Sequence, residues 1–203
     1  MTSAIAREKG LPVDEYGPFN QYELDMPVNT QGTKVWGFEV DLQTHLSFLP
    51  GALKNIVISA NYSRIWSKTK YPRFAIVYPD VIPPLPPTLN FYETERELSG
   101  QTDYTGNLSI GYDYLGFSGR LSAYFQGPYL ASISNLEDED IYQKAFSRWD
   151  LAFKQVITDN ITAFLNINNL TNVVEGSYEN YKHLDRGGYV YGSSAELGLQ
   201  LSF

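Results

Sequence analysis

Residues 35–48 read VWGFEVDLQTHLSF. Even positions carry Trp36, Phe38, Val40, Leu42, Thr44, Leu46 and Phe48, and odd positions carry Gly37, Glu39, Asp41, Gln43, His45 and Ser47. A period of two with one apolar and one polar face defines a β-strand. Pro50 and Gly51, within LPGALKN (49–55), interrupt it. The alternation then returns. In 56–67, Ile56, Ile58, Ala60, Tyr62 and Trp66 oppose Ser59, Asn61, Ser63 and Ser67, with Arg64 breaking the apolar side. In 103–114, Tyr104, Leu108, Ile110, Tyr112 and Tyr114 oppose Asp103, Thr105, Asn107, Ser109 and Asp113. Residues 117–129, 147–157, 161–171 and 189–203 repeat the pattern, and no segment has a helical period. The reading is seven strands, several longer than the ~5–6 residues usual in soluble sheets. A membrane-crossing strand needs about 9–11 residues of alternation.

The connections alternate as well. Short turns join 48 to 56, 114 to 117 and 157 to 161, whereas long polar segments fill 68–102, 130–146 and 172–188. Short turns at one end and long loops at the other are the pattern of outer-membrane barrel hairpins, with the short turns periplasmic and the loops external. Aromatic residues fall at both strand ends. Phe48, Tyr112, Tyr114, Phe117 and Phe203 lie toward the short turns; Trp36, Trp66, Tyr104, Tyr129, Trp149, Tyr189 and Tyr191 lie toward the long loops. Such belts are expected at membrane–water interfaces. A soluble β-sandwich would also alternate, but with shorter strands and comparable loops at both ends.

Composition narrows the classes further. The chain has 203 residues and a net charge of −8, which argues against nucleic acid as a partner. It has no cysteine and only two histidines, which removes disulfides, thiolate metal sites and histidine-rich metal centres. No cofactor is expected. Apolar residues make up 43% of the chain and aromatic residues 15%. No run of ~18 apolar residues exists for a membrane helix. The first residues, MTSAIAREKGLPVDEYGPF, lack the basic head and apolar core of a signal peptide, so the chain is expected to be part of a longer one.

Several motifs carry a family resemblance. Val35-Trp36-Gly37-Phe38-Glu39-Val40, then Leu46-Ser47-Phe48-Leu49-Pro50-Gly51, then Ala60-Asn61-Tyr62-Ser63 resemble the late barrel strands of TonB-dependent receptors. Trp149-Asp150-Leu151, Thr158-Asp159-Asn160-Ile161-Thr162 and Asn168-Asn169-Leu170-Thr171-Asn172 are similar to that family's closing signature, and Leu199-Gln200-Leu201-Ser202-Phe203 to its aromatic-ended last strand. The resemblance covers about 33–203 and leaves 1–32 as an extracellular loop or edge segment. It implies the C-terminal portion of a barrel of ~22 strands around a plug. It also implies that Leu199, Leu201 and Phe203 form the signal read by the barrel-assembly machinery, and that TonB engages a plug region missing here. Seven strands cannot close such a barrel. The chain alone is therefore expected neither to fold stably nor to transport, because unpaired strand edges cannot face hydrocarbon.

The implied function is a receptor in the outer membrane of a Gram-negative bacterium. It would capture a scarce small molecule (a siderophore, cofactor or oligosaccharide) and import it through TonB coupling. A small porin or adhesin barrel complete in itself, and a soluble β binding domain, are the alternatives. The best ligand-contact segment is the Pro-rich run Tyr78-Pro79-Asp80-Val81-Ile82-Pro83-Pro84-Leu85-Pro86-Pro87, with Phe91 and Tyr92 for stacking and Arg73 for positive charge. Deleting 76–90 is expected to weaken ligand binding and spare barrel assembly.

Enzymatic chemistry is not expected. Asp41, His45 and Ser47 share one strand face, but residues two apart stand ~6.5–7 Å apart, too far for a hydrogen-bonded nucleophile and base. The sequons at Asn61, Asn107, Asn160 and Asn169 fall in strands or a turn, where barrel composition accounts for them. The acidic run Glu137-Asp138-Glu139-Asp140 reads as a solvated loop tip rather than a cation site. Glu39, Asp41, Asn107 and Arg120 are expected to face the lumen.

Overall fold

The seven alternating segments become seven neighbouring strands. The computed structural model describes residues 32–78, 80 and 88–203. Strands β1 (Lys34–His45), β2 (Ile56–Val77), β4 (Tyr104–Tyr114), β5 (Phe117–Gln126), β8 (Phe146–Thr158), β9 (Ile161–Asn168) and β12 (Ser194–Leu201) form one antiparallel sheet in chain order. β3 (Thr88–Arg96) pairs with the distal half of β2. A second, four-stranded sheet takes β11 (Leu184–Val190), β10 (Val174–Glu179), β7 (Ile141–Gln143) and β6 (Tyr129–Ser132), in that spatial order.

Register turns the period-two pattern into two continuous faces. One row runs Thr44, Ile58, Ile110, Leu121, Leu151, Ile167 and Ala195 across all seven strands. The row beside it on the other face runs Gln43, Ser59, Ser109 and Ser122, and Asn168 faces Ser194 at its far end. Leu42, Ile110, Leu197 and Leu199 stand exposed on the first face, Leu197 at 79%. Among the described residues only Ala123 and Leu130 are buried hydrophobics. A sandwich of this length would hide its apolar face against a second sheet. Here the greasy face looks outward, so the soluble reading fails and the sheet is a section of membrane-barrel wall. It is not closed among the described residues, with β1 and β12 as its two edges.

The belts are built from neighbouring rings, most of them paired across strands. Trp36 faces Trp66, Phe38 packs 6.0 Å from both Tyr62 and Trp66, and Tyr62 stacks on Tyr104 at 6.2 Å. At the short-turn end Tyr112 meets Tyr114, and Phe117 meets Phe153. Gly37 is required where it stands, because a Cβ there would lie 2.4 Å from the Arg64 carbonyl oxygen of β2. The Leu115-Gly116 turn has positive φ at both residues, 45° and 80°, as a primed hairpin turn demands.

Several boundaries differ from the sequence reading. The 68–102 segment is not a plain loop: β2 runs on to Val77 and folds back along β3. The 130–146 and 172–188 segments build the second sheet. Residues 189–190 belong to β11 rather than to the last strand, because Gly192 turns the chain at φ 78° before β12 begins. β9 stops at Asn168 since Asn169 adopts φ 55°. Residues 1–31, and Pro79 with 81–87 of the Pro-rich run, lie outside the described residues.

Candidate functional site

The polar face of the sheet holds a trough toward the long-loop end. A concavity of about 520 Å³ is lined by Arg148, Asp150, Asn168, Glu175, Tyr191 and Ser194, among others. A second of about 310 Å³ shares Arg148 and Asp150 and adds Tyr124, Asn107 and Ser122. Position parity explains the lining. Arg148 and Asp150 alternate with Trp149 and Leu151, so the charges face the lumen while the apolar partners face outward. Arg148 Nε lies 3.6 Å from Asp150 Oδ2. The amide of Asn107 donates to Asn61 Oδ1 at 2.9 Å, and Ser122 bonds Ser109 at 3.1 Å. Such a surface offers donors, acceptors and Tyr124 and Tyr191 rings to a polar ligand.

The Asn168–Asn172 motif is explained by the site wall. Asn169 takes a left-handed conformation and is buried. Its backbone N–H donates to Asp150 Oδ1 at 2.8 Å, its side-chain amide donates to the Gly192 carbonyl at 2.9 Å, and its Oδ1 accepts from Val173 N–H at 3.0 Å. Ser193 Oγ donates to its carbonyl at 2.6 Å. One asparagine thus ties β8, β9 and the approach to β12. The WDL and NNLTN motifs are one structural knot.

Above the trough, the three long connections are joined by charge. Arg73 donates through Nη1 to Asp140 Oδ1 at 2.9 Å and through Nη2 to Oδ2 at 2.5 Å, with both side chains fully buried. Its Nε donates to Thr94 at 2.6 Å and its Nη1 also to the Ser134 carbonyl at 2.7 Å. This hydrogen bond to Asp140 holds the guanidinium above its usual pKa despite burial. Arg96 pairs Glu137 at 2.6 Å, and Ser134 Oγ donates to Glu139 at 2.7 Å. Tyr142 stacks on Tyr178 at 5.5 Å in the second sheet.

Burial is the main force pushing the Tyr142 phenol up to about 12, reinforced by the charge of Glu97. A folded pKa above the usual phenol value of ~10 stabilises the external sheet below pH ~10, and the contribution disappears as pH rises through about 12. Tyr142→Phe is therefore expected to flatten this alkaline loss, followed by urea unfolding at stepped pH. An unchanged alkaline slope would remove Tyr142 as its origin.

Arg73 is corrected by these contacts. It is buried and neutralised by Asp140, so it offers no free charge to a ligand. The acidic run is solvated only in part: Asp138 and Glu139 are exposed, with Glu139 accepting from Ser134, whereas Glu137 pairs Arg96 and Asp140 is buried on Arg73. Tyr78 and Phe91 are exposed, each at 72%, and Phe91 pairs with Phe74 at 6.3 Å. Tyr92 lies opposite Arg73 on the other face of β3 and is half-buried, so Phe91 and Tyr92 point to opposite sides of the hairpin. Leu199 and Leu201 lie exposed on the outward face of β12, and Phe203 just beyond it.

Asp41, His45 and Ser47 are joined by no hydrogen bond among the described residues. Arg120 forms a two-point pair with Asp113, at 2.8 and 2.7 Å. Arg148, Asp150, Glu175 and Tyr191 are the trough residues that sequence reading did not propose as ligand contacts. The polar parity of 147–157 carried the signal for Arg148 and Asp150, but nothing local marked Glu175 on β10 or Tyr191 before β12, which reach the trough only through the fold.

An open antiparallel wall with an outward apolar face, a polar lumen face, aromatic belts and structured loops at one end defines a membrane β-barrel. Residues 10–170 match the family described as TonB dependent receptor-like, beta-barrel, and the chain belongs to it. That family comprises outer-membrane receptors and transporters and is not an enzyme family. No curated protein and no solved structure matches the chain significantly.

Proposed function

We propose that the chain forms the C-terminal part of the barrel of an active-uptake receptor in the outer membrane of a Gram-negative bacterium. The long loops lie outside, and a scarce small molecule enters for TonB-coupled import. The observation that carries this reading is the polar trough of about 520 Å³ lying beneath the interlocked external loops, in a wall of this family. The sheet edges at β1 and β12 support further strands in the complete barrel, because unpaired backbone groups cannot face hydrocarbon. The exposed residues Leu199, Leu201 and Phe203 fit the role of a signal for the barrel-assembly machinery, and TonB would act through the plug.

Ligand contacts are assigned to Tyr78 and Phe91 at the loop hairpin and to Arg148 and Tyr191 in the trough, with Tyr92 bordering the hairpin's inner face. In the full-length receptor, deletion of 78–87 leaves β2 and β3 intact, unlike the wider 76–90 cut. It is expected to reduce uptake several-fold, and Arg148→Gln with Tyr191→Ala to reduce it further. Uptake of labelled ferric chelates, corrinoids and oligosaccharides by cells, with and without a protonophore, tests the reading. Accumulation that ignores the protonophore for every ligand class would sink TonB coupling; unchanged uptake in both variants would sink the site.

A further inference from the structure

The outward face of β2 changes character along its length. Ile56, Ile58, Ala60 and Tyr62 lead to Arg64 and Trp66, and then to Lys68 and Lys70. β1 ends in the same way, with Trp36 opposite Trp66 and Lys34 opposite Lys68. Tryptophan marks the border between hydrocarbon and water. The three lysines therefore stand where headgroups begin.

Two features make this cluster more than a solvated rim. Like charges directly opposite on paired strands destabilise a sheet, yet Lys34 and Lys68 are such a pair in a chain of net charge −8. Among the described residues the carboxylates also fall short of the ammonium groups. Glu95 pairs Lys68 at 2.9 Å and Glu93 pairs Lys70 at 3.5 Å, while Lys34 has no carboxylate partner among the described residues. The ammonium groups hold the Glu95 carboxyl below its usual range, Lys68 chiefly by its hydrogen bond. Between them lies a concavity of about 570 Å³ lined by Gly32, Lys34, Lys68, Thr69, Lys70 and Glu95. On the membrane side, Arg64 is paired with Asp103 at 3.3 Å and lies over the Trp66 and Tyr104 rings at 5.3 and 5.9 Å.

We propose that Lys34, Lys68 and Lys70 bind the phosphate of an anionic lipid headgroup in the leaflet at the long-loop end, with Trp36 and Trp66 against the apolar part of the same molecule. The site lies on the outer wall, apart from the lumen trough, and rests on the membrane reading of the sheet rather than on any transported ligand. A lipid is favoured over free phosphate because the cavity adjoins the tryptophan belt, and basic residues at a membrane surface attract anionic headgroups.

The test uses the complete receptor in nanodiscs of phosphatidylcholine containing phosphatidic acid, with lipid retention read by native mass spectrometry. The K34Q/K68Q/K70Q variant is expected to retain on the order of tenfold less phosphatidic acid. K54Q/K154Q, at the short-turn end, is expected to retain it fully, and millimolar inorganic phosphate to leave it bound. Heat-modifiability on gels checks folding, and Lys34→Glu alone, at the margin of β1, provides a milder variant with the same expected direction. Equal retention by the triple variant, or equal loss in the control pair, overturns the site. Displacement of the lipid by inorganic phosphate overturns the lipid as its occupant.

Discussion

Arg73→Ala will cost the external loop assembly about 3–5 kcal/mol, because it strands the Asp140 carboxylate without a counter-ion in a buried position. Asp140→Ala will do comparable damage by stranding the guanidinium, which also holds Thr94 and the Ser134 carbonyl. The double replacement R73M/D140L is expected to cost far less than either single change, since it removes both charges together and fills similar volume. All three variants lie outside the membrane-crossing part of the sheet, Arg73 being on the distal half of β2 that pairs with β3. Hydrogen exchange should therefore rise in β3, β6 and β7 while heat-modifiability of the barrel stays unchanged. If the double variant opens the loops as far as the single ones do, the ion pair is not what joins them.

Ile110→Arg will cost about 2–4 kcal/mol, and Ser109→Arg, one residue away, much less. Ile110 lies between Ile58 and Leu121 in the apolar row, on the hydrocarbon side of the Tyr112 and Tyr114 belt, and 46% of it is exposed on the outward face. Ser109 lies in the polar row and bonds Ser122, where a longer cation finds water and carboxylates. Phe38, Val40, Leu42, Leu108, Leu121, Leu151, Leu165, Leu197 and Leu199 share the outward parity, so arginine scanning should show a penalty at each that falls toward the belts. Urea-driven unfolding in lipid vesicles measures it. Equal costs at Ile110 and Ser109 would refute the assignment of faces.

The membrane wall was legible because its code is local. Alternation along VWGFEVDLQTHLSF and its six successors needs no partner to be read, and each strand's turns lie next to it in the chain. Pro50-Gly51, Leu115-Gly116 and Asp159-Asn160 mark the short-turn end directly. Even Arg64, an anomaly on an apolar face, lies at the belt where Asp103, Trp66 and Tyr104 receive it. β3 escaped notice for the converse reason. Its outward face carries Phe91, Glu93 and Glu95 against the lysines of β2, so the hairpin stands outside hydrocarbon and has no apolar stripe to reveal a period of two.

Partner choice across the chain lay beyond any such reading. Arg73 looked like a free cation beside a Pro-rich loop, and Asp140 like one carboxylate in a solvated run, until folding placed them 2.5 Å apart. The NNLTN run was recognisable as a motif, but its work in binding Asp150, Val173 and Gly192 was not. The physical reason is range. Side-chain parity is set by the backbone within two residues, whereas a buried charge finds its counter-ion, and a trough its walls, only when strands distant in sequence are brought side by side.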